Sequence, residues 1–97
     1  MSKSIIPGNM KGVCFMCRRV CGTEEHHNLR GKNRKRADED GMTVYLCHWC
    51  HNEPPVGVHY NKLNDTRLKK IGERHWLQHY GKTVDDFIQA YGRNYLD

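Results

Sequence analysis

Cys14-Phe15-Met16-Cys17 and Cys47-His48-Trp49-Cys50 place two C-x2-C pairs about thirty residues apart, with His26-His27 between them and His51 directly after the second pair. Each pair can form a tight turn whose backbone N–H groups point at thiolate sulfur. Four thiolates make a closed tetrahedral set for zinc, an ion that takes four ligands and has no redox chemistry of its own. Such a set is structural, because saturated zinc keeps no open position for a substrate. Zinc in isolated finger peptides contributes about 10–16 kcal/mol to folding, so metal removal is expected to unfold this region. Cys21 is the fifth cysteine and reads as a spare thiol. A redox dithiol is the other chemistry open to C-x2-C pairs, but two pairs plus an odd thiol fit it poorly.

Catalysis would need a second ion. His26 and His51 are the natural ligands, since each adjoins an element that the zinc set would hold in place. His27 is then available as a general base, having a neutral imidazole near pH 7. Neighbouring residues on a strand point to opposite faces. Both histidines therefore reach one site only if the strand is bent or bulged there.

The elements that must position these groups belong to one small domain. A chain of 97 residues with 37% hydrophobic content buries too little surface for two cores and gains from a metal staple. The N-terminal residues carry no apolar run of signal-peptide length, and the odd cysteine count fits a reducing cytosol better than an oxidising compartment. No stretch approaches the roughly 18 apolar residues of a membrane span. The expectation is a soluble, cytoplasmic protein with no membrane partner.

Residues 1–12, with Pro7, Gly8 and Gly12, read as an extended or mobile lead-in without chemistry, and 13–97 as the single domain. Residues 23–29 can form a short strand carrying the histidine pair. Asn33 can cap a short helix ending before Gly41. Residues 42–46 (Met-Thr-Val-Tyr-Leu) give the strongest strand signal and deliver Cys47. Pro54-Pro55 interrupts any helix that begins at the second pair. A helix capped by Asn64 or Asp65 runs to about Tyr80, with Leu68, Ile71, Gly72, His75 and Trp76 on one face and Gly81 as its stop. Thr83 caps a last helix with Val84, Phe87, Ile88 and Tyr91 as its apolar stripe. The fold class is α+β, a zinc-stapled core followed by two C-terminal helices. His75 and His79 are assigned to packing or to the surface.

The formal charge is +5 and the pI near 9.1, and five cations (Arg30, Lys32, Arg34, Lys35 and Arg36) fall within seven residues. A polyanionic partner fits this run; a solvated charged surface is the plain alternative.

At this point the chain resembles the HNH endonucleases of the ββα-metal, or His-Me finger, superfamily. His26-His27 is similar to that family's metal ligand followed by its base. Val44 through His51 is similar to its second strand, knuckle and final histidine ligand. Zinc knuckles bracketing the pair also occur in the endonuclease VII family. The more specific likeness is to small HNH proteins of phages and prophages, and it extends over roughly residues 13–97. It implies a ββα-metal core and hydrolysis of phosphodiesters in DNA, with branched or nicked DNA among the substrates. It also implies structural Zn2+, with a catalytic Mg2+ or Mn2+ on His26 and His51. The basic run would then contact phosphates, and paired strand cuts would need a homodimer. Two departures stand out. Met42 occupies the position of the family's orienting asparagine, a role that Asn33 or Asn28 could take. No histidine follows His51 by four residues, where Pro55 stands; His59 could supply that ligand or be a plain loop residue. The reading from another class is a non-catalytic zinc module that binds nucleic acid or protein.

Overall fold

A computed structural model describes residues 4–29 and 31–96. β1 (Thr23–His27) and β2 (Thr43–Cys47) form a two-stranded antiparallel sheet, with His26 opposite Val44 and His27 opposite Thr43. Between them a 3-10 turn at Gly31–Asn33 leads into α1 (Arg34–Glu39). After β2 come α2 (His48–Asn52), α3 (Lys62–Tyr80) and α4 (Val84–Tyr91). The result is a small mixed α+β fold, and among the described residues no helix is long and apolar enough to cross a membrane.

β1 has poor strand formers and is held by its partner. Only His26 of its five residues is buried, whereas β2 buries Thr43, Val44, Leu46 and Cys47. A two-stranded sheet is marginal by itself, and two apolar clusters stabilise this one. Ile6, Val44, Leu46, Val58 and Leu68 pack around Cys14 and Cys47. Leu29, Ala37, Met42, Trp76, Phe87 and Tyr91 form the second cluster under the C-terminal helices.

Residues 4–9 depart from the expected loose lead-in, whose residues 1–3 lie outside the described ones. Ser4 Oγ donates to the Thr43 carbonyl at 2.6 Å, Ile5 N to the Gly41 carbonyl at 2.9 Å, and Ile6 is 3% exposed. Asn9 Oδ1 accepts from Tyr45 N at 2.8 Å, and Phe15 N donates to the Tyr45 carbonyl at 2.8 Å. These contacts satisfy the edge of β2 that β1 leaves open, which an exposed strand would otherwise offer to other chains. Pro7 and the glycines hide this role at the level of sequence.

α1 begins after Asn33, but the Asn33 side chain makes no cap and its amide donates instead to the Tyr91 carbonyl at 2.9 Å. Gly41, at φ 86°, lets the chain turn so that Met42 N reaches the Ala37 carbonyl at 2.9 Å. α3 starts earlier than expected because Asn61, rather than Asn64 or Asp65, is its cap, accepting from Asn64 N at 2.9 Å. Leu68, Gly72 and Trp76 are buried along its inner face, while Ile71 is half-buried. α4 has a complete capping box between Thr83 and Asp86. Phe87 and Tyr91 are buried from its stripe, but Ile88 is 40% exposed, because nothing among the described residues covers that side.

Candidate metal and catalytic site

The two knuckles meet in space. The sulfurs of Cys14, Cys17, Cys47 and Cys50 all lie within 4.8 Å of one another, with Cys17 and Cys47 at 3.8 Å. Thiolates about 2.3 Å from a tetrahedral zinc ion lie about 3.8 Å apart, so the cluster can hold a structural metal such as zinc. Cys21 is outside it, half-buried beside the Arg19 carbonyl. Burial opposes charge on Cys14, but backbone N–H groups of Cys17, Cys47 and Met16 outweigh it and bring the thiol down to about 6. Burial, with neighbouring thiols, pushes Cys50 upward. One readily ionised sulfur beside a reluctant one is the condition a cation relieves, since metal ligation requires thiolates.

The second cluster is built from three different elements. His26 comes from β1, His51 from α2 and His59 from the loop before α3, and their ring nitrogens also lie within 4.8 Å of one another. His51 Nε2 and His59 Nε2 are 3.0 Å apart. Two nitrogens about 2.0–2.1 Å from a tetrahedral ion would be about 3.3 Å apart, so the pair fits joint ligation. The rings meet edge-on, with His26 at 78° to His51 and 74° to His59, which lets nitrogens rather than faces converge. His59 is therefore a member of the group, and the loop carrying it is tied to the second knuckle by Val58 N to the Cys50 carbonyl at 2.9 Å.

Glu24 supports this cluster from behind. Its Oε1 lies 2.7 Å from His51 Nδ1 and accepts from Asn52 Nδ2 at 3.0 Å. The bond to His51, with a smaller contribution from His48, holds the Glu24 carboxyl below its ordinary range. A carboxylate on Nδ1 keeps the proton there and leaves the Nε2 lone pair for the cluster, the usual arrangement behind histidine ligands. Sequence reasoning missed Glu24, although it precedes His26 by two strand positions and so shares its face.

β1 runs in unbroken register through both histidines, so the expected bend or bulge is absent. The two side chains part instead: His26 joins the cluster and His27 turns toward α1. Both still border one cleft of about 300 Å³, together with Gly31, Arg34, His51 and His59. His27 Nδ1 is 2.7 Å from Asp38 Oδ1, and Arg34 Nη2 is 3.0 Å from His27 Nε2.

The asparagines lie elsewhere. Asn33 Nδ2 donates to the Tyr91 carbonyl at 2.9 Å, a bond that takes the side chain away from His27. Asn28 is fully buried and donates to the Leu68 carbonyl at 2.9 Å, stapling the end of β1 to α3 beneath Gly72. Met42 is 0% exposed in the second apolar cluster, which explains why this position is not polar. The expected orienting role of Asn33 thus has no support in the geometry; Asp38 takes the place beside the ring.

The basic run does not form one face along the cleft. Lys32, Arg34, Lys35 and Arg36 are all exposed, but among them Arg34 alone lines the cleft. Arg36 is drawn the other way, donating to the Ala90 carbonyl at 2.8 Å. Helical rotation separates residues that sequence places side by side. Arg30 lies outside the described residues.

No known protein family matches this chain, and no curated protein or solved structure does so at a significant level. Its function has to be read from these side chains.

Proposed function

We propose that this protein is a metal-dependent endonuclease of the HNH, ββα-metal type, hydrolysing phosphodiester bonds in DNA. The observation that carries the reading is the cleft in which a histidine with fixed ring partners, His27, borders a convergent cluster of three others, His26, His51 and His59. The order β1, β2, α2, with one ligand from the strand and one from the helix, supports the family resemblance. So does the four-thiolate cluster, which would fasten β2 and α2 to the first knuckle.

His26, His51 and His59 would hold a divalent ion. Three imidazoles and no carboxylate favour a first-row transition ion over Mg2+, which prefers oxygen ligands; Mn2+, though also oxygen-seeking, is the better fit of those two. When bound, such an ion supplies Lewis-acid polarisation of the phosphate and stabilises charge on the leaving oxygen. The chain does the rest. Glu24 aims His51, the loop from Pro55 to His59 closes the cluster, and His27 Nε2 accepts the proton of an attacking water. A positioned base of this kind is worth about 10²–10⁴ in rate. Arg34 binds the phosphate from the cleft wall, while Lys32 and Lys35 contribute affinity without reading sequence.

Cobalt titration of metal-free protein tests the two-site arrangement. The expected result is two ions per chain, one with thiolate charge-transfer absorption, and loss of the other alone in His59→Ala together with DNA cleavage. A single ion per chain in the wild type, with no cleavage, would leave a structural zinc module and overturn the proposal.

A further inference from the structure

The chain lacks an asparagine where the resemblance places the residue that orients the base. From the ring contacts of His27 we infer that Asp38, on α1, is the positioning residue for His27, and that Arg34 covers the working nitrogen until phosphate displaces it. The inference rests on the nuclease reading above and goes beyond it in assigning how the base is held and released.

Two partners of opposite character fix the ring independently. An ionised carboxylate only accepts hydrogen bonds and a guanidinium only donates them. Asp38 Oδ1, at 2.7 Å from Nδ1, therefore requires the proton on Nδ1. Arg34 Nη2, at 3.0 Å from Nε2, requires the lone pair on Nε2. The two contacts agree on one tautomer, and it is the one that leaves Nε2 able to take a proton. That nitrogen is on the cleft side, because Arg34 lines the cleft and Asp38 does not.

The support for Asp38 is local and rigid. Ala37, beside it, is 0% exposed in the second apolar cluster. The Asp38 carbonyl accepts from Gly41 N at 3.1 Å, closing α1 onto the start of β2. Arg34 Nε lies 3.7 Å from Asp38 Oδ2, one helical turn away, so the guanidinium touches both carboxylate and imidazole. Asp38 is only 23% exposed and has one place to point, whereas the Arg34 side chain is 58% exposed and can swing away at little cost. A phosphodiester in the cleft offers the guanidinium a stronger, charged acceptor than a neutral imidazole. Its departure uncovers Nε2 at the moment substrate is bound.

The test is the tautomer of His27, read from the ring nitrogen shifts of ¹⁵N-labelled, zinc-loaded full-length protein in mildly alkaline buffer, beside single-turnover cleavage. The wild type is expected to show a pyrrole-type Nδ1 and a pyridine-type Nε2. Asp38→Ala should lose that distinction and cut about 10- to 100-fold more slowly, within the loss expected for a whole base, with DNA affinity retained. Asp38→Glu, which keeps the acceptor, should recover part of the rate. A wild-type proton on Nε2 overturns the role of Asp38 whether or not any variant folds. An unchanged tautomer and rate in a folded Asp38→Ala protein does the same. The expected tautomer with no cleavage by wild type would instead bring down the nuclease reading, and with it the catalytic meaning of the pair.

Discussion

Gly57→Ala is the perturbation that best separates the four-cysteine cluster from the three-histidine cluster. Gly57 lies in the loop between His51 and His59, and a Cβ there would stand 2.6 Å from both the Glu53 nitrogen and the Glu53 oxygen, and 3.0 Å from the Asn52 carbonyl carbon. Those are backbone atoms, so no rotamer change relieves the clash. The turn must open, stretching the Gly57 N to Glu53 carbonyl bond of 2.6 Å and the 3.3 Å bond from His59 N to the His51 carbonyl. Overpacking of this kind costs about 1–3 kcal/mol, and each kcal/mol lowers the melting temperature of a domain this size by about 4–8 °C. If the turn must be forced back before His51 and His59 can share an ion, the same 1–3 kcal/mol weakens that ion about 5- to 150-fold. Cobalt titration and thermal melting measure the two effects together. Gly81→Ala is the control: Gly81 ends α3 at φ 62° with no atom within 4 Å of an added Cβ, so it should lower the melting temperature and leave ion affinity alone. Equal melting temperature and equal second-ion affinity in Gly57→Ala would refute the packing argument for this loop.

Three further outcomes follow from the same contacts. Glu24→Ala should weaken the three-histidine ion about 10- to 100-fold while leaving the thiolate ion untouched, which competition with a chelator would show; equal loss from both sites would contradict it. Glu73, buried under the C-terminal residues and accepting from Tyr95 N at 2.7 Å, has its carboxyl raised above the ordinary 4.5 by burial. The stability it contributes is complete below that ordinary value and is lost as pH rises through the raised one. Melting curves across pH should therefore show Glu73→Gln gaining on the wild type as pH increases from about 4.5, and a pH-independent difference would count against this. DNA binding through Lys32, Arg34 and Lys35 should fall with salt at a log–log slope of about −0.9 per phosphate contact. Replacing Lys35 should reduce the slope by about that amount, and a flat response would remove the basic run from the interface.

The four-cysteine cluster was more legible in the sequence than the paths of the loops. C-x2-C spacing announces itself because two sulfurs on one turn have few other uses, and the four cysteines do converge. β2, α3 and α4 were readable from period, and α4 from its cap as well, whereas the cap of α3, Asn61, was not: Val44, Leu46, Leu68, Trp76 and Phe87 are buried as their spacing requires. What sequence could not supply was the path of the loops. Ser4 and Asn9 sit among turn-forming residues, yet they satisfy an edge strand 34 to 39 positions away. Asp38 carries no motif of its own, and only the fold places it against His27. The basic run looked like a single patch until helical rotation sent Arg34 and Arg36 to different sides.

The central claim is tested most directly by incubating supercoiled plasmid with zinc-loaded protein and added Mn2+ or Mg2+, beside His27→Ala of matched metal content. Metal-dependent nicking by the wild type, faster with Mn2+, and a loss of about 10²–10⁴ in rate in the variant are expected. Equal cleavage by both proteins would take His27 out of the reaction. No cleavage by either, with salt-sensitive DNA binding intact, would contradict the nuclease and leave a zinc-stapled binding module.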